Sequence, residues 1–374
     1  MPIPVASSQQ RRRYVSLDGL RFIAAMGVVA HHYAGLGGAP IAETLFAKNY
    51  LFVDFFFAIS GFVIFHNYVG RVSTWSAYGD FLKNRLARIY PLHLFTCLVY
   101  VALAFTLWRD RIDRSFVDSS ALLPNLLLVH AWGTTQATSF NYPSWSISAE
   151  WLAYLSFPAV GWLIARGGAR AAVLVAILLI DGLDLASAGG IIEPWTTLTY
   201  HFGALRAAPT FLLGAALAQG IERIPLKLTG FGWAWACFAG AILAMMAGVH
   251  DQLILLLLLA SVAAAAIAER DGATGLLTRP FMVALGDLSY AIYMIHPLMA
   301  VALINLVAGK ILHLAGAPLT LWCIFCALAA NVGVAAAVHK WIEVPSRNYL
   351  RRAQLPIFAS VKTLTRINQK KTAA

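Results

Sequence analysis

LDGLRFIAAMGVVAHH, residues 17–32, is the stretch on which the fold turns. Its apolar residues are those of a membrane span, and Arg11, Arg12 and Arg13 ahead of it give it the outline of a secretory signal. Arg21, His31 and His32 interrupt the apolar run, however, and no convincing small-residue cleavage site accompanies it. The segment reads as a retained first span that carries ionisable groups into the bilayer. Such groups cost about 2.5–3.5 kcal/mol each on insertion scales, so each one demands a partner or a function.

Outward from this span the chain keeps the same character. Of its 374 residues, 60% are hydrophobic and 12% charged, where a soluble domain has roughly 45–50% and about 25%. Apolar stretches long enough to cross a hydrocarbon core recur along the whole length, which excludes a soluble enzyme with one anchor. The expected fold is all-α and polytopic, with ten spans near residues 15–36, 50–69, 91–108, 144–165, 171–187, 203–220, 231–249, 252–268, 282–306 and 319–339.

The formal charge of +11 points to topology rather than to nucleic acid, because basic residues mark the cytoplasmic side of membrane proteins. With both termini inside, most of the 28 Lys and Arg fall in cytoplasmic segments; Arg109, Arg111 and Arg114 form the discordant patch. Residues 72–90 read as an interfacial helix, with Pro91 opening the next span. Residues 121–133, too short to cross, read as a re-entrant or interfacial piece. The expected division is a basic cytoplasmic N-terminus at 1–14, a membrane domain at 15–345 and a basic cytoplasmic tail at 346–374. Cys97, Cys237, Cys323 and Cys326 lie in apolar segments, so neither a disulfide framework nor a metal site is expected.

The ionisable residues inside the spans supply the candidates. Asp18 and Arg21 are neighbours on one helix face, which on its own reads as a structural ion pair. Arg21 and His32 are eleven residues apart, so they share a face but stand roughly 16 Å apart along the axis. An arginine that grips an anion and a histidine that removes a proton deeper in the bundle suit that geometry. His31, rotated by about 100°, reads as packing or hydrogen bonding.

RLARIYP at 85–91 places Arg85 and Arg88 three apart, equally a topogenic loop and a phosphate grip. PSWSISAEWLAY at 143–154 offers Trp145, Ser146, Glu150 and Tyr154. There Glu150 would orient His32 or bind a sugar hydroxyl, and Ser146 reads more as a helix cap than as a nucleophile. LGDLSYAIYMIHP at 285–297 gives a polar stripe with Tyr290 and His296, and Asp287 to one side.

These segments, with VDFFFAISGF at 53–62, RAAPTFLLG at 206–214 and IEVPSR at 342–347, resemble in order the acyltransferase-3 family of bacterial membrane O-acyltransferases, from about Leu17 to Arg352. The resemblance implies a catalytic Arg21 and His32, a donor grip at Arg85 and Arg88, and a site element at Trp145, Ser146 and Glu150. It also implies acyl-CoA, usually acetyl-CoA, as co-substrate rather than a tightly bound cofactor. The acceptor it implies is a hydroxyl of a glycan or lipid-linked sugar, and the location is the inner cell membrane. Glu150, Tyr290 and His296 would then line the acceptor side. The competing expectation is a transporter or exporter of a polar solute, with the same charges along its path; the lack of a visible internal repeat weighs against it.

Overall fold

A computed structural model of the chain describes residues 12–106 and 117–353, so Arg109, Arg111, Arg114 and the tail beyond 353 lie outside the described residues. The described residues form helices and turns with no strand. Seven of the described helices are long and apolar enough to cross a membrane.

Ten spans were expected, and the difference lies in three places. Helix α1 (Ser16–Gly37) is long enough but dilutes its apolar run with Asp18, Arg21, His31 and His32. After α2 (Pro40–Phe46), α3 (Phe52–Tyr68), α4 (Trp75–Thr106), the short α5 (Leu122–Leu126) and α6 (Trp145–Leu155) comes α7 (Phe157–Ala188). The continuous run α7 is two helical arms that meet at a kink at Gly168, with φ 68°, which falls between the expected fourth span at 144–165 and fifth at 171–187, so the expected boundary is present although the run counts as one long helix. Beyond α8 (Gly203–Gly220), α9 (Gly232–Met246) has only 15 residues.

Two boundaries are corrected. Residues 75–106 form a single helix that passes through Pro91, so the interfacial segment and the third span are continuous. Pro91 removes one backbone donor without ending the helix, a loss that neighbouring helices make tolerable within a membrane protein. The last helix does not stop near 339: α10 (Asp251–Arg270) and α11 (Pro280–Met299) are followed by α12 (Gly316–Leu321), α13 (Leu328–Val338) and α14 (Val344–Arg352), joined by π-helical turns into one rod from Gly316 to Arg352. Residues 121–133 form α5 and turns rather than a span, with Leu128 and Gly133 at positive φ.

Two close helix pairs position everything else. Helix α1 begins with its first free N–H groups, those of Val15 and Ser16, donating to the Glu269 carboxylate at 2.9 and 2.8 Å. A carboxylate there satisfies donors that have no partner inside the helix and complements the helix dipole. Helix α1 then runs alongside α11 in the same direction, with Gly286 against the Asp18 backbone and His32 beside His296. Helices α3 and α8 also run the same way, with Asp54 meeting Arg206 near their starts. Further along, a Cβ on Gly61 would lie 2.0 Å from the Phe211 carbonyl oxygen, and one on Gly214 1.9 Å from that of Ala58. Small residues at such crossings let backbones approach and replace a hydrophobic driving force that lipid does not provide.

Gly61→Ala or Gly214→Ala should therefore push α3 from α8 and lower the detergent-solubilised melting temperature, since overpacking costs typically about 1–3 kcal/mol. Gly35→Ala, where nothing lies within 4 Å, should leave it unchanged.

Candidate active site

Two cavities lie along α1. The first, of about 160 Å³, collects side chains from positions 21 to 293 of the sequence: Arg21 of α1, Ser60 of α3, Arg85 and Arg88 of α4, Ser146, Glu150 and Tyr154 of α6, and Tyr290 of α11. Its electrostatics are unequal. Arg21 is 3.5 Å from Asp18, and Arg88 pairs with Glu343 while stacking over the Tyr290 ring. Glu343 is almost fully buried and also receives His339 and Arg347, so its charge is shared three ways. Arg85 donates to the Tyr68 hydroxyl at 3.0 Å, but its buried Nε has no partner among the described residues. Glu150 accepts from Ser60 at 2.6 Å and from Tyr154. The result is a site with surplus positive charge and an unmatched guanidinium donor, suited to an anion with several oxygens.

The second cavity, of about 240 Å³, is lined by His32, Tyr50, Tyr142, Trp145 and Arg206 among others. Among the described residues nothing hydrogen-bonds the His32 ring, which packs between aromatic neighbours: the Tyr142 ring is 5.0 Å away edge-on, and His296 stacks on it at 5.0 Å with 19° between planes. His296 is fully buried. Its Nδ1 donates to the Tyr293 carbonyl at 2.6 Å, which leaves Nε2 to accept from the Tyr142 hydroxyl at 3.0 Å. A carbonyl can only accept, so the network fixes the tautomer. His296 is thus a held neighbour and lines neither cavity, whereas the His32 ring lines the second cavity, as does His31, and makes no hydrogen bond among the described residues.

Val53 and Tyr293 are the residues that line both cavities. Between the arginines and His32 there is therefore a thin wall rather than a span of protein.

The wall is anchored by an ion pair that the sequence did not single out. Arg206, 2% exposed, donates to Asp54 at 2.6 Å and also to the carbonyls of Leu198 and Tyr50, at 3.3 and 3.0 Å. Trp145 covers its guanidinium face, 5.0 Å from the ring centroid. Every charge and donor in this buried cluster finds a partner, the condition under which an ion pair away from water is tolerated. Both residues stand in quoted segments, VDFFFAISGF and RAAPTFLLG, and the cost of charge in lipid was the signal available; their spacing gave no hint that they pair.

The expected site residues separate into groups. Arg21, Arg85, Arg88, Ser146, Glu150, Tyr154 and Tyr290 meet in the first cavity; His32 and Trp145 line the second. Glu150 and Tyr290 therefore sit with the arginines, and Glu150 does not orient His32, because Ser60 and Tyr154 hold it on the other side of the wall. Asp287 lines neither cavity: it is half exposed and pairs with Arg13 at 3.1 Å. Ser146 caps no N–H; its hydroxyl donates to the Pro143 carbonyl at 3.0 Å. His31 accepts its expected packing role, with Nδ1 2.8 Å from the Phe46 carbonyl.

The acyltransferase domain family matches residues 14–339. The chain belongs to the acyltransferase-3 family. It is 37% identical over 161 residues to the acyltransferase MdmB of Streptomyces mycarofaciens, a match covering 39% of this chain and 38% of MdmB. It is 32% identical over 195 residues to protein 2 in the picA locus of Rhizobium radiobacter, covering 46% of this chain and 92% of that protein. It is 26% identical over 251 residues to YrhL of Bacillus subtilis (strain 168), provisionally named a peptidoglycan O-acetyltransferase, covering 59% of this chain and 36% of YrhL. The matches thus span well under half the length of MdmB and of YrhL. No solved structure matches significantly. Family membership and the apolar helices together make this a multi-pass membrane protein.

Arg206→Leu should leave Asp54 charged and unpaired, at a cost of about 3–5 kcal/mol. The expected result is a steep loss of folded protein by fluorescence-detected gel filtration, largely recovered in the Asp54→Leu, Arg206→Leu double variant.

Proposed function

We propose that this acyltransferase-3 protein is an O-acyltransferase of the inner cell membrane. In this reading it moves an acyl group, acetyl in the simplest case, from acyl-CoA to a hydroxyl of a sugar, exported polysaccharide or glycolipid. The observation that carries the reading is the meeting of an arginine-rich cavity and a histidine cavity at one wall beside α1. The names of MdmB and YrhL, an acyltransferase and a protein named for peptidoglycan O-acetyl transfer, point the same way.

The donor enters the arginine cavity from the cytoplasm. Its phosphates dock at Arg85 and Arg88, where the guanidinium of Arg85 has a buried Nε without a partner among the described residues, and Arg21 lies along the donor arm. Phosphate recognition by planar guanidinium groups is directional as well as strong. The thioester reaches the wall at Val53 and Tyr293. From the other side the acceptor hydroxyl approaches His32, whose ring makes no competing hydrogen bond.

His32 takes the hydroxyl proton as the oxygen attacks the thioester carbonyl. The tetrahedral intermediate collapses, the C–S bond breaks, and the proton ends on the thiol of free CoA. His296, fixed by the Tyr293 carbonyl and Tyr142, holds the His32 ring in plane with its stack, while Glu150 with Ser60 and Tyr154 shapes the donor cavity. Placing donor and acceptor in adjoining cavities supplies proximity, which is worth more than any single acid–base contact.

His32→Ala should lower transfer by roughly 10²–10⁴-fold and leave CoA binding, read by isothermal titration calorimetry, close to wild type. Arg85→Ala and Arg88→Ala should do the reverse, weakening CoA binding by at least about tenfold, the loss expected for a charge-assisted phosphate contact. Near wild-type transfer by purified His32→Ala protein would show that another group is the base.

A further inference from the structure

The two cavities share a boundary whose composition and rigidity have consequences for the donor. Val53 is 5% exposed and Tyr293 6% exposed, and these two side chains form the shared lining. Both are immobilised from behind. Val53 precedes Asp54, which is locked to Arg206, and the α3 backbone on which it stands cannot shift because Gly61 and Gly214 seat α3 directly on α8. Tyr293 donates its hydroxyl to the Pro143 carbonyl at 3.0 Å, packs edge-on against Phe56 with centroids 6.1 Å apart, and holds His296 through its own carbonyl. An apolar boundary of fixed side chains discriminates by size whatever must cross it, whereas one made of free side chains would yield to a longer ligand.

Building on the two-cavity reading above, we infer that Val53 and Tyr293 form a size filter for the acyl group, admitting acetyl to His32 and holding back longer chains. The CoA part of the donor is held by arginines that do not sense acyl length, so selection occurs where the thioester carbon must pass the wall to meet the acceptor oxygen. The chemistry of the filter is mainly steric: the Val53 side chain is two methyl groups, and the Tyr293 hydroxyl is occupied by its bond to the Pro143 carbonyl. Each extra methylene misfitted in such a pocket is worth roughly 10–200-fold in rate. Butyryl, with two more methylenes than acetyl, lies well past the limit. The same wall couples selection to catalysis, since Tyr293 supplies the carbonyl that fixes the His296 ring on which His32 stacks.

The test uses membranes from a native host overproducing the full chain, which retain the acceptor. They are incubated separately with [1-¹⁴C]acetyl-CoA and [1-¹⁴C]butyryl-CoA, and alkali-labile label is counted in the washed polymer and lipid fractions. Wild type should incorporate acetyl and less than roughly a tenth as much butyryl. Val53→Ala, which removes both wall methyls, should raise the butyryl-to-acetyl ratio by at least about tenfold, and Val53→Cys, intermediate in size, should give a smaller rise. Val53→Thr, similar in shape, should keep the wild-type ratio. An unchanged ratio in Val53→Ala and Val53→Cys, or loss of all label in both while both accumulate in the membrane, overturns the filter. No gene-dependent label from either donor in wild type would instead overturn the acyl-transfer reading on which the filter rests.

Discussion

The Asp54–Arg206 pair is the contact on which the rest of the site depends. It is sealed from water, so it persists only because the carboxylate, two backbone carbonyls and the Trp145 face together satisfy the guanidinium. That requirement fixes α3 against α8, carries Trp145 of α6 and Tyr50 into the wall of the histidine cavity, and sets Val53 in place one residue before Asp54. The glycine crossing further along the same two helices removes the remaining freedom. A second rigid element, α1 beside α11, then lays Arg21 at one cavity and His32 at the other, at a spacing that the helical rise alone dictates. The candidate active site is the gap between these two braced pairs.

Seen this way, the charges fall into two kinds. Arg206 and Asp54 are fully matched and structural. Arg85 is not matched: its Nε is buried and free of a protein partner among the described residues, and the carboxylate nearest its companion Arg88 is shared with His339 and Arg347. Guanidinium groups so incompletely paired inside a bilayer protein are suited to a ligand that brings its own negative charge. The histidines divide similarly. His296 is saturated by Tyr293 and Tyr142, whereas His32 faces open space.

The sequence was legible where the cost of placing a polar group in lipid is high and its position along a helix is fixed. Arg21 and Glu150 stand out for that reason, Arg85 and Arg88 for their spacing in a basic segment, and the structure gathers them from positions far apart in the chain. Helical geometry also separated Arg21 from His32 correctly in principle, since one helix cannot bend eleven residues into contact. Pairings between helices were not legible. Asp54 with Arg206, Arg88 with Glu343 and Tyr142 with His296 depend on which helices pack together, and nothing in the local pattern specifies that. For the same reason the local pattern does not show that Glu150 meets Ser60 and Tyr154 rather than His32, one of the two roles it suggests, or that Asp287 faces Arg13 outside both cavities. The spans were read well where apolar runs ended in clear loops. The boundary expected at Pro91 is absent, because a proline tolerated inside a membrane helix imitates a helix start, whereas the break expected between 165 and 171 is present at Gly168.

In the proposed reaction a CoA thioester lies with its phosphates at Arg85 and Arg88 and its acyl end at the wall before His32. A cryo-electron microscopy structure of the full chain with a non-hydrolysable acetyl-CoA analogue tests it most directly. The account predicts phosphate density against those two guanidinium groups and the acetyl carbon between Val53 and Tyr293, with the His32 ring across the wall. Density for the phosphates on the His32 side, or an acyl end directed away from Val53 and Tyr293, would contradict it.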